Sequence, residues 1–261
     1  PWDPPGDQVK PVVDRADRVL PAVMDADASA IIRKYLEGKG IKFYLSDCVS
    51  SYGDGFATLR SGAEIDFDVL VTAVGVRPNT ALAAEIGCAV ERMTESGRPF
   101  RGIVVGDDQM TNVKDVYAAG DCTLSYDVTF GNTRPLFIQP NAYMQGETAG
   151  TFMSGGSREK RNYLPVNAGG FLGLHIITAG SYDGEPLTIE ENGSFHRFFV
   201  KDGKLRGFIQ IGGYSRVGIL TDMIRRQTDI ESVDFASLVR NPGLAALGMD
   251  YVHSVLGKEG A

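Results

Sequence analysis

Thr111-Asn112-Val113-Lys114-Asp115-Val116-Tyr117-Ala118-Ala119-Gly120-Asp121 is the stretch whose reading decides the fold. Residues 116–119 are a short apolar run between polar neighbours, which predicts a buried strand. The run stops at a glycine followed at once by a carboxylate. Gly120 lets a backbone or a ligand come close where a Cβ would block it. Asp121 then stands at the carboxyl end of the predicted strand, where open α/β sheets bind their ligands. Its carboxylate can accept hydrogen bonds from the hydroxyls of a sugar or a sugar alcohol. An ordinary buried strand ending in a Gly-Asp turn accounts for the same residues, and for this stretch alone it is the simpler account.

Two further stretches join it. Residues 68–75 (Asp-Val-Leu-Val-Thr-Ala-Val-Gly) are almost continuously apolar, as a central parallel strand should be, and they run into Gly75-Val76-Arg77-Pro78-Asn79. Gly75 permits close backbone approach and Pro78 fixes the exit path. A plain strand-to-turn exit is the alternative. Gln139-Pro140-Asn141-Ala142 opens a predicted helix toward Met153. Proline near a helix start is pre-organised, and the first-turn N–H groups have no partner within the helix. Those donors and the positive end of the dipole suit an electron-rich ring edge that gains negative charge on reduction. A solvent-capped helix is the alternative here.

Taken together, the three stretches resemble the FAD-dependent pyridine nucleotide-disulfide oxidoreductases. These include NADH oxidases, coenzyme A-disulfide reductases and flavoproteins that reduce rubredoxin or nitrite. The resemblance implies that Asp121, just past Gly120, holds the ribitol chain of FAD. It puts Gly75 and Pro78 at the crossover from the NAD domain back to the FAD domain, near the nicotinamide–flavin junction. It sets Gln139, Pro140, Asn141 and Ala142 against the pyrimidine edge of the flavin, acting through backbone. Further upstream, residues 6–21 resemble the NAD domain just after its glycine fingerprint. Asp14, at the end of the strand expected over residues 9–13, is then a candidate ligand of the adenosine ribose. Its charge disfavours a 2′-phosphate and so favours NADH over NADPH. A solvated Asp capping a loop is an equal alternative.

The rest of the chain fits this frame. An amphipathic helix is predicted over residues 25–39, capped by Asp25 or Asp27, with Ile31, Ile32, Tyr35 and Leu36 on its apolar face and Gly40 ending it. A strand at 41–48, short strands near 57–60 and 64–66, and a short helix at 80–87 follow. Residues 154–161 read as a linker. Beyond it, strands at 171–178, 195–200 and 205–211, a helix at 216–226 and more helical residues at 238–256 make a small α+β unit. The expected fold class is therefore α/β: a partial Rossmann-like NAD(P)-binding segment at 1–75, part of an FAD-binding domain at 76–156, and a small α+β carboxyl-terminal domain at 157–261.

Composition excludes other classes. A net charge of −7 without a basic run argues against nucleic-acid or anionic-membrane partners. No apolar stretch reaches membrane-spanning length. Cys48, Cys88 and Cys122 are scattered and odd in number, so neither a disulfide framework nor a metal site is expected, and a reducing cytoplasm is the default. Cys122 reads as a small buried filler, and His175, His196 and His253 as structural. No residue reads as catalytic. No Gly-x-Gly-x-x-Gly occurs, although a complete reductase needs one such turn for each dinucleotide. The chain is thus expected to be the carboxyl-terminal part of an FAD- and NAD(P)H-dependent oxidoreductase with an unnamed electron acceptor. The alternative is a catalytically incomplete chain that needs a separate amino-terminal half. A homodimer through the carboxyl-terminal domain is the other expected partner.

Overall fold

The computed structural model describes residues 10–95, 98–213 and 216–248. Val9, His253 and the helical residues expected past 248 lie outside that range. β1 (Lys10–Asp14) and β2 (Ile41–Leu45) pair in parallel, with Lys10 opposite Ile41 and Asp14 opposite Leu45, and α1 (Ala26–Glu37) is their crossover. Pro11 is tolerated because every strand of a two-stranded ribbon is an edge. Asp25 caps α1, its Oδ1 accepting from the Ala28 N–H at 2.9 Å. The helix buries Ala28, Ser29, Ile32 and Leu36, whereas Ile31, expected on that face, is exposed.

A three-stranded antiparallel sheet follows, made of β3 (Val49–Tyr52), β4 (Phe56–Leu59) and β5 (Glu64–Asp66). After the short helix α2 (Ala81–Glu85) comes a four-stranded sheet in chain order: β6 (Val90–Glu95), β7 (Arg98–Val104), β8 (Thr123–Asp127) and β9 (Asn132–Arg134). In it β7 and β8 run parallel and the outer pairs antiparallel. Helix α3 (Gln139–Met153) then leads to β10 (Val166–Phe171), β11 (Leu174–Gly180), β12 (Glu185–Glu191), β13 (Ser194–Lys201) and β14 (Lys204–Ile211). These five form one antiparallel sheet in the order β10-β11-β14-β13-β12. Its three inner strands are the ones legible in the sequence. The two edges are blunted by Gly169-Gly170 and by exposed Glu185, Glu190 and Glu191.

Both faces of this sheet are covered. Helices α4 (Val217–Arg226) and α5 (Phe235–Arg240) bring Leu220, Met223, Ile224 and Leu238 against Ile177, Phe198, Leu205 and Phe208. The opposite face, with Ile176, Phe195, Phe199, Ile209 and Ile211, packs against Ala28, Ile32 and Leu36 of α1. The amino-terminal helix is thus bound to the carboxyl-terminal sheet. Arg197 of β13 seals that contact, its Nη1 lying 2.6 Å from Asp25 Oδ2 and 3.0 Å from Asp27 Oδ2. The Tyr35 hydroxyl adds a hydrogen bond to the Leu172 carbonyl at 2.8 Å.

Two predicted strands do not form. Residues 69–80 have no regular secondary structure, and Val69 (77%), Val71 (80%) and Val74 (83%) are exposed rather than buried. Residues 116–119 are extended and half-buried, but they make only the isolated bridge between Tyr117 and Met110. The reason is common to both. A parallel strand is stabilised by neighbours on either side, and no described strand lies beside these runs to take their backbone groups. Among the described residues, no helix is long and apolar enough to cross a membrane.

The turn between β8 and β9 is organised by Asp127, which is fully buried. Its Oδ1 accepts from the Thr129 N–H at 2.8 Å and the Thr129 hydroxyl at 2.6 Å, while Arg134 Nη1 stays 3.7 Å from Oδ2. Burial pushes its carboxyl above the ordinary 3.8, against the hydrogen bonds from Thr129 that pull it down. A raised folded-state value means that stability is fully present below the unfolded value and is lost as pH rises through the folded one. Asp127→Asn should therefore flatten the pH dependence of the urea midpoint above about pH 4. In a separate test, Ile32→Ala should cost about 2–5 kcal/mol in equilibrium urea unfolding, because it opens the interface between α1 and the five-stranded sheet.

Candidate functional site

The first part of the opening stretch is an anchor. Thr111 and Asn112 hold the chain just after α2: Asn112 Oδ1 accepts from the Ala89 N–H at 2.6 Å, and its Nδ2 donates to the Gly87 carbonyl at 3.1 Å. A tight turn at residues 113–116, with the Val116 N–H on the Val113 carbonyl at 3.1 Å, sends the chain back past Gln109. The Ala118 N–H bonds the Gln109 carbonyl at 3.0 Å, and the extended run then reaches Gly120.

Gly120 has φ +83, in the left-handed region that favours glycine. A Cβ placed there would stand 3.4 Å from the Ala142 Cβ, an ordinary contact, so backbone conformation rather than space demands the glycine. The same closeness shows that the Gly120 turn lies against the first turn of α3. A second link is stronger. The Gln145 side chain is buried, and its Oε1 accepts from the Gly120 N–H at 2.5 Å and from the Thr123 hydroxyl at 3.3 Å. Its Nε2 donates to Ser125 Oγ at 2.5 Å. One amide thus ties the glycine turn, strand β8 and helix α3 together. Gln145 was not legible as a site residue because the buried face of α3 is Asn141, Gln145, Thr148 and Ala149. Its helical spacing is present, but in polar residues, which a search for apolar periodicity passes over.

Asp121 is exposed beside this turn. Gln139 and Pro140 are exposed at the start of α3, where Ile138 is the cap residue and makes no side-chain cap. The Ala142 N–H donates to the Ile138 carbonyl at 3.0 Å, and the Gln139 and Asn141 N–H groups before it have no partner within the helix. Asn141 is buried, and its side chain is committed to the Leu164 carbonyl at 3.0 Å, so only its backbone can meet a ligand. Gly120, Asp121, Gln139, Pro140, Asn141 and Ala142 are therefore neighbours. Pro78 connects more loosely: it borders a cleft with Phe100, whose ring lies 5.4 Å from that of Phe137, just ahead of the α3 cap. Gly75 has φ +99 and lies exposed in the irregular segment. Asp14 stands apart at the end of β1, exposed, its Oδ1 accepting from the Ala16 N–H at 2.9 Å.

The chemistry available here is placement rather than acid–base work. Burial raises the Cys122 thiol above its ordinary value, and the Asp121 carboxylate adds to that, so the thiol is a poor nucleophile. Its Sγ rests on the Ala119 carbonyl at 3.4 Å. No cluster of His, Cys, Asp and Glu suited to a metal occurs among the described residues.

Comparison with known proteins gives this geometry a context. Residues 6–148 match the family described as pyridine nucleotide-disulphide oxidoreductase. The nitrite reductase [NAD(P)H] of Bacillus subtilis is 27% identical over 246 residues, 88% of this chain and 28% of that protein. The NADH oxidase of Methanocaldococcus jannaschii is 33% identical over 147 residues, 55% of this chain and 31% of that protein. The solved NAD-dependent persulfide reductase from A. fulgidus superposes with a TM-score of 0.75 at 21% identity, over 86% of this chain and 46% of the other, a likeness of fold. The chain spans less than a third of the length of both curated relatives.

Gln145→Leu should cost about 1–3 kcal/mol in chemical unfolding, since it removes the partner of the half-buried Gly120 N–H and of Ser125 Oγ. Gly120→Ala should cost about 1–2 kcal/mol through its left-handed φ alone.

Proposed function

We propose a function from one premise: this chain belongs to the pyridine nucleotide-disulphide oxidoreductase family. Within it, the chain serves as part of an FAD-dependent NAD(P)H oxidoreductase, with residues 1–75 on the nicotinamide side, 76–156 on the flavin side and 157–261 as an interface domain. Hydride passes from the nicotinamide to the flavin, which supplies the redox chemistry. The two curated relatives are named for a nicotinamide donor and, in one case, nitrite as substrate, so the donor is the shared feature and the acceptor is left open.

The observation that carries the proposal is the joining of Gly120-Asp121 to the start of α3 by the Gln145 amide and the Ala142 contact. The residues fit the cofactor chemically. Asp121 offers an exposed acceptor for the ribitol hydroxyls, and the uncapped N–H groups ahead of Ala142 offer donors for the pyrimidine edge. Gly75 and Pro78 shape the approach of the nicotinamide, and Asp14 accepts from the ribose hydroxyls of NADH. Asp14 is the least tied of these residues, since its carboxylate is occupied by a local turn.

A second proposal has its own observation. The apolar run at residues 69–76 is exposed along most of its length, as a strand would be before its neighbours dock. On this account the chain works only with an amino-terminal half that supplies those neighbours and the glycine turns for both pyrophosphates.

FAD titration followed by flavin fluorescence tests both. The chain mixed with an amino-terminal half should bind FAD and turn over NADH, and Asp121→Ala should weaken FAD by at least about tenfold, the worth of charge-assisted hydrogen bonds to the polyol. Unchanged FAD affinity in Asp121→Ala would sink the flavin assignment. Full FAD binding and NADH oxidation by the chain alone would sink the two-part account.

A further inference from the structure

β6 and β7 carry an arrangement that the flavin proposal does not use. Arg92 and Arg101 are direct cross-strand partners in this antiparallel ladder, so both guanidinium side chains emerge on the same face. Like charges placed directly opposite each other repel, and a ladder built for stability alone would pair one of them with a carboxylate. Arg77, from the irregular segment before α2, reaches the same cleft. The cleft has a volume of about 490 Å³ and no acidic residue in its lining. Among the described residues, none of the three arginines has a carboxylate partner. In a chain of net charge −7, such a concentration of unpaired positive charge is local and specific.

The remaining walls have a different character. Pro78 and Pro99 supply flat apolar surface, and Phe100 and the buried Thr80 border the same space. Guanidinium groups match phosphate oxygens in pairs, and several together suit a ligand with more than one negative charge. The volume falls in the range of small-molecule sites, large enough for a phosphate group and an attached ring system. We propose that the cleft between residues 77–80 and the β6–β7 ladder binds a phosphate-bearing nucleotide of mononucleotide size. Arg77, Arg92 and Arg101 hold the phosphates, and the proline surfaces take the base. The Gly120-Asp121 turn is no part of the lining of this cleft.

Calorimetric titration of the full chain at low ionic strength, with ADP and separately with inorganic pyrophosphate, decides the matter. Both should bind, ADP more tightly because only it reaches the apolar walls. The double variant Arg92→Gln/Arg101→Gln should weaken both by at least about tenfold. The melting temperature of the free double variant should not fall, because the substitution removes a repulsive pair. Arg77→Gln, in an irregular segment outside the ladder, gives a second variant with the same expected direction. Absence of binding by both compounds at millimolar concentration, or equal affinity in all variants, overturns the proposal. Pyrophosphate bound as tightly as ADP overturns the nucleotide assignment. Binding of poly-glutamate with neither phosphate compound would assign the arginines to an acidic protein surface instead, and would also overturn it.

Discussion

A strand's backbone is satisfied only by a neighbour, and this constraint sorts the molecule into two kinds of structure. In the carboxyl-terminal sheet the chain supplies every neighbour itself: five consecutive strands close a full antiparallel ladder. Helices then cover both faces, including one from the amino-terminal end of the chain. In the runs at residues 69–76 and 116–119 the composition of a buried strand is present without a described strand beside it. The first run has no regular secondary structure and its valine side chains stay in solvent, whereas the second makes a single isolated bridge. Strand composition and strand formation come apart because the first is local and the second is a property of a pair.

The candidate cofactor site sits on the boundary between these two kinds of structure. What holds it is a polar interior rather than an apolar one. Gln145 and Asn141 turn inward from α3 to meet Ser125, Thr123, the Gly120 turn and the Leu164 carbonyl. Buried amides are costly unless each donor and acceptor is matched, so a satisfied set admits one arrangement and resists others. That is a suitable foundation for a turn whose exposed carboxylate must be aimed. The helix start beside it is left uncapped by its own residues, which keeps its donors available.

The arginine cleft follows a related logic with the opposite sign. At Gly120 polar groups are satisfied within the protein. At Arg92 and Arg101 like charges face one another across a ladder, and the described chain leaves them unmatched. The relief must come from outside, and the flat walls around them limit what can provide it. Pro78 borders this cleft and belongs to the stretch proposed for the nicotinamide approach.

Much of this was readable in the amino-acid sequence alone. Asp25 as a helix cap, the glycine need at Gly75 and Gly120, the start of α3 at Gln139 and the three inner strands of the large sheet all depend on local chemistry, which a linear reading samples directly. The edge strands β10 and β12 were not legible, because glycines and glutamates carry no apolar alternation there. Tertiary structure alone decided that α1 would pack on the distant carboxyl-terminal sheet, and that Gln145 would clamp the glycine turn. It also decided that Arg92 and Arg101 would face each other, while two strand-like runs went without a neighbouring strand among the described residues. Each of these is a contact or register between segments far apart in the chain or on separate strands. Propensity and spacing act over a few residues, whereas such contacts exist only after the chain has closed on itself.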